Sequence, residues 1–97
     1  MTLRASPVIE HASLPGDGSV EVWVGVPEDS YIPRSEQTNV DLQLREGGNV
    51  LATVTTVLDP AQDGEARQLA REVRAAIEAE RIPLTAAALE PFADRLR

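Results

Sequence analysis

Three groups of side chains have types and spacings that could do chemistry: His11 with Glu10, Ser13 and Asp17; the carboxylates Asp59, Asp63 and Glu65; and the arginines Arg67, Arg71, Arg74 and Arg81. An imidazole beside acids and a hydroxyl suits general-base work, provided a partner lies within hydrogen-bond reach and water is excluded. If residues 8–14 form a strand, side chains at i and i+1 point to opposite faces, so Glu10 cannot orient His11. Ser13 shares the histidine's face, but two-residue strand spacing alone does not make a nucleophile and base. The chain reads as a non-enzyme, with His11 an ordinary strand residue.

The acidic cluster Asp59-Pro-Ala-Gln-Asp63-Gly64-Glu65 superficially resembles a calcium loop but fails its template. Oxygen ligands are missing at alternate positions, Pro60 sits where the loop must bend, and no Glu occupies the twelfth position. Helix capping and the helix dipole account for these carboxylates. A zinc site has one histidine and no cysteine to draw on. The glycine pairs at 16/18 and 47/48 match no phosphate-binding pattern and read as turn residues. No cofactor or metal is expected.

The arginine row falls on one side of a helix, at i, i+4, i+7 and i+14. It suits either an acidic partner or a solvated face whose long stems shield the core. Glu78 lies within reach of both Arg74 and Arg81. Trp23 is the other anomaly. Strand alternation puts it on the face away from the helices, beside Leu51 and Val57, where a large aromatic can mark an association patch. The stretch from Pro27 to Thr38, with two prolines and no period, reads as a long surface loop carrying Tyr31, Ile32 and Arg34 as candidate contacts.

The elements that must position these groups follow from periodicity. Val8–Leu14 and Val20–Val26 form a hairpin across Pro15-Gly16-Asp17-Gly18, the second strand alternating valine with Glu21, Trp23 and Gly25. Val40, Leu42 and Leu44 alternate with polar residues, and Gly47-Gly48-Asn49 turns that strand back into Val50–Leu58. A two-residue loop would set Leu44 opposite Leu51. A three-residue loop with a bulge would set it opposite Ala52 and bury the more apolar set Val50, Ala52, Val54, Thr56 and Leu58. The second arrangement is preferred.

Asp59 as N-cap, Pro60 at the first helical position and Gln62 at the third begin a helix that runs to Arg81, with Asp63 the fallback cap. Its apolar stripe is Ala66, Leu69, Ala70, Val73, Ala76 and Ile77, ready to cover the sheet. Ile82-Pro83 breaks it, and Thr85 caps a shorter helix with Leu89, Phe92 and Leu96 on one face and Pro91 kinking or restarting it. The expected fold is α+β: an antiparallel meander of three to four strands, then two helices packed on one face. Residues 1–7 are a flexible start and 8–97 a single domain.

Composition narrows the function classes. A net charge of −7 argues against nucleic acid or an anionic membrane as partner. No apolar run reaches the ~18 residues a membrane span requires. All nine basic residues are arginine, which a GC-rich coding bias explains more simply than bidentate chemistry. The absence of cysteine is compatible with the cytoplasm. The expected function is a small acidic, non-catalytic protein-interaction module that self-associates through the open sheet face or the sheet edge. The alternatives are an acidic, antitoxin-like inhibitor of a basic protein, or a small-ligand domain with a pocket near His11, Tyr31 or the arginines.

Overall fold

A computed structural model of the chain describes residues 3, 6–16, 18–27 and 39–94. Four antiparallel strands form one sheet in sequential order: β1 (Val8–Ser13), β2 (Ser19–Gly25), β3 (Val40–Glu46) and β4 (Asn49–Thr56). Two helices follow, α1 (Asp63–Glu78) and α2 (Ala86–Asp94). The α+β meander expected from alternation is the fold observed. Among the described residues, no helix is long and apolar enough to cross a membrane.

Val20, Val22 and Val24 of β2 and Val40, Leu42 and Leu44 of β3 supply the apolar floor of the core, joined by Ala52 and Val54 of β4. From above, α1 contributes Ala66, Leu69, Ala70, Val73 and Ile77, and α2 contributes Leu89 and Ala93. The helices divide the sheet between them: α1 packs on β1 and β2, α2 on β4. One helix about 10 Å across spans only about two strands at a spacing of about 4.8 Å, so the 63–78 segment cannot cover the floor by itself. Thr56 is the polar exception on this side. Its hydroxyl donates to the Val40 carbonyl (2.8 Å) and accepts from the Leu58 amide (3.2 Å), so its burial leaves no unmet hydrogen bond.

The β3–β4 hairpin reaches the expected pairing by a different device. Gly47 and Gly48 have φ of 56° and 86°, as a two-residue type I′ turn requires, and the turn sets Glu46 opposite Asn49 and Arg45 opposite Val50. A bulge then shifts the register between Leu44 and Arg45, so Leu44 meets Ala52. The loop is therefore two residues, not three. Val50 lies before the bulge and is 51% exposed rather than in the core.

The start of α1 also needs correction. The Gln62 side chain does reach back, its Oε1 accepting from the Asp59 amide (2.7 Å), but the Asp59 carboxylate accepts from the Ala61 amide (2.9 Å), and no side chain caps the helix. Those contacts close a separate turn, also held by the Gln62 amide on the Asp59 carbonyl. Gln62 has φ −91° and ψ 55°, outside the helical region, and the helix begins one residue later at Asp63. It ends at Glu78, short of Arg81, in a Schellman arrangement: the Arg81 amide bonds the Ala76 carbonyl and the Glu80 amide bonds that of Ile77. Glu80 occupies the left-handed position at φ 57°, where a side chain is strained. Glu80→Gly is expected to raise stability by about 0.5–1 kcal/mol in urea unfolding, and no gain would show that the strain is relieved elsewhere.

Thr85 caps α2 as expected, its hydroxyl accepting from the Ala88 amide at 3.2 Å. The helix runs through Pro91 to Asp94, burying Leu89 and Ala93 with Phe92 half-buried, while Leu96 lies outside the described residues. The first residues hold a surprise for the sequence reading. Leu3 is fully buried in the core, and its amide donates to the Pro60 carbonyl at 2.8 Å.

Candidate protein-interaction surface

Alternation puts Ile9, Trp23, Gln43 and Thr53 side by side across the four strands, on the sheet face away from the helices. Trp23 is on the expected face but does not project from it, being only 6% exposed. The Arg45 guanidinium lies over its ring, 4.3 Å from the centroid, and Arg45 Nε is tied to Gln43 Oε1 at 2.7 Å. Gly25, two residues along on the same face, provides a slot. A Cβ there would stand 3.1 Å from Trp23 Cζ2 and 2.8 Å from Pro7 Cβ. The indole is thus part of a second small packed layer, not an exposed contact.

Beside this layer, Asp41 of β3 faces Gly25 on one side and Thr55 on the other. Burial raises its carboxyl above the ordinary 3.8, partly offset by the Thr55 hydroxyl donating to it. A raised pKa in the folded state means protonation favours folding. That stabilisation is full below 3.8 and is lost as pH rises through the folded value. Asp41→Asn keeps an acceptor for Thr55 without the charge. It should melt higher than wild type at neutral pH, with the advantage disappearing as pH falls below 3.8. An advantage independent of pH would rule out desolvation as the cause.

Two arginines of the row hold carboxylates. Arg74 bonds Glu10 of β1 at 3.3 Å and Glu78 at 3.4 Å, while Arg67 pairs with Asp63 at 3.6 Å. The second carboxylate oxygen of Glu78 accepts the Ser13 amide at 3.0 Å, a strand contact in place of the expected Arg81. Arg67 and Arg71 line a cleft of about 280 Å³ with Leu3, Pro7, Glu10 and Asp63, where opposite charges alternate. Arg81 instead borders a groove of about 540 Å³ between the helices, with Ile82, Pro91 and Phe92. Through its bond to Glu10, Arg74 ties α1 to β1 along the seam between them. Glu10 is turned toward that seam, and His11 is exposed on the opposite face across from Glu21. Tyr31, Ile32 and Arg34 lie outside the described residues.

What remains open is β4. Leu51 and Val57 are 43% and 51% exposed, as the register requires, and the bulge adds Val50 at 51%. Ile9 on β1, at 43%, is the fourth large apolar side chain exposed among the described residues. Sequence reasoning missed Val50 and Ile9. The first was assigned to the core face, and the second carries no signal beyond its place beside Trp23. From Gly47 to Leu58 the chain has no charged residue and no proline. Among the described residues, β4 has only β3 as a strand partner, so its outer row of backbone groups is open. The other edge differs. Pro7 precedes β1, Glu10 and His11 charge or polarise it, and Glu78 occupies the Ser13 amide.

No family model matches the chain, and neither a curated protein nor a solved structure matches it significantly. The reading of function therefore stands on the fold and this surface.

Proposed function

We propose that the chain is a small, acidic, non-catalytic protein-interaction module whose contact surface is the outer side and free edge of β4. One observation carries this reading: Val50 and Leu51 of the edge strand and Val57 just after it are about half exposed, in a run from Gly47 to Leu58 without charge or proline. Natural sheets protect edges with charges, prolines, bulges or covering segments, and they rarely leave apolar side chains clustered beside one. The Glu78 contact on β1 shows such protection at one edge, and among the described residues β4 has no equivalent apart from the bulge. Trp23 and Arg45 pack on one another on the same face over β2 and β3, beside this surface instead of forming it. A cysteine-free composition suits a reducing compartment such as the cytoplasm.

The test is the native mass of the tagged protein in an extract of its source cells. Wild type should migrate well above the monomer, and Leu51→Asp with Val57→Asp should return it to monomer mass with an unchanged circular dichroism spectrum. Monomer mass for both proteins, or a complex indifferent to the two substitutions, would refute the surface.

A further inference from the structure

Resting on β4 as the contact surface, we infer that its occupant is β4 of a second copy, paired antiparallel across a two-fold axis to make one continuous eight-stranded sheet from two four-stranded sheets. Charge permits this occupant, and side-chain order selects it. A chain carrying −7 repels its own copies over most of its surface, whereas the twelve residues from Gly47 to Leu58 bring no charge to a shared seam. A partner recruited through opposite charge would find nothing along this strand to complement. Antiparallel pairing also has the symmetry of the commonest homodimers, each copy presenting the same patch.

Side-chain order within β4 points to one register. With the axis through Val54, Thr53 stands opposite Thr55 of the second copy, while the bulged Leu51 and Val57, just past the strand end, come together at each end of the seam. Hydroxyl thus meets hydroxyl in the regular strand, with apolar side chains flanking it, on the face that is exposed in the single chain. On the helix side Val54 meets its own counterpart, next to Ala52 opposite Thr56. The bulge places its extra residue at Leu51, and from Ala52 to Thr56 the strand pairs regularly with β3. At the other edge the same construction fails: Glu78 would have to release the Ser13 amide, and two copies of β1 would bring Glu10 and His11 into the seam.

Sedimentation equilibrium of the purified full chain, from micromolar to millimolar concentration, tests the pairing. Wild type is expected to be a dimer. Thr53→Glu places like charges near the axis and should raise the dissociation constant by about tenfold or more, whereas Thr53→Val should leave it within about threefold. Thr53 is exposed, so both variants should retain the wild-type circular dichroism spectrum. The absence of native cysteine permits a register test. Thr53→Cys protein mixed with Thr55→Cys protein should oxidise to the mixed dimer in preference to either homodimer, and His11→Cys should not cross-link. A wild type that stays monomeric, a Thr53→Glu variant as dimeric as wild type, or cross-linking at His11 instead would overturn self-pairing. None of these results removes a β4-dependent complex in the cell extract, so failure of the pairing is distinguishable from failure of the contact surface.

Discussion

Trp23→Ala should lower the free energy of unfolding by about 3–5 kcal/mol, the range for deleting a large buried aromatic side chain. The ring is 6% exposed, lies under the Arg45 guanidinium and borders the space left open by Gly25. Its removal empties the small layer on the outer face and takes away the ring beneath the Arg45 guanidinium, which stays tied to Gln43. Urea unfolding followed by circular dichroism reads the loss without needing indole fluorescence. Arg45→Ala should cost less, about 0.5–2 kcal/mol, since it removes a cation–π contact but leaves the ring in place. A Trp23→Ala loss below about 1 kcal/mol would place the indole outside the packed structure. Because Trp23 is buried, a charged substitution there reports on folding, so tests of association belong at Leu51, Thr53 and Val57.

Leu3→Ala should lower stability by about 2–5 kcal/mol, comparable to a leucine in the middle of a strand. The side chain is fully buried against the core, and its amide ties the start of the chain to Pro60 at the approach to α1. Ile9→Ala is the matched control. That side chain is 43% exposed, and its truncation should cost under about 1 kcal/mol. Equal, small effects at both positions would mean that the first residues do not contribute to the core.

Elements were legible in the sequence where a periodic pattern and a buried face coincide. The valines of β2 and the Ala66–Ile77 stripe face each other as alternation and helical spacing require, and the apolar count on β4 correctly puts Leu44 opposite Ala52. The pattern does not show how that register is reached, because a bulge shifts side chains without leaving a compositional mark. Val50 changes face for that reason. Capping signals at Asp59 and Gln62 identify a real set of hydrogen bonds but not the structure they close, since the same atoms serve an isolated turn. A period of two assigns Trp23 to a face and cannot report its exposure, which depends on Arg45 from β3 and on the missing side chain at Gly25. Leu3 is a single apolar residue in a polar stretch, with no period to announce it. The arginine row shows the same gap: helical spacing aligns it, but Glu10 comes from a strand 64 residues away in sequence. Leu51 and Val57 were recoverable because their exposure follows directly from register.

Amide hydrogen exchange, measured strand by strand on the wild-type protein at high and low concentration, probes β4 most directly. Amides of the central strands β2 and β3 should exchange slowly at both concentrations. Those on the outer edge of β4 should be protected in the concentrated sample and lose that protection on dilution. Concentration-independent exchange along β4, with protection appearing at β1 instead, would contradict the proposed assignment of β4 as the contact surface.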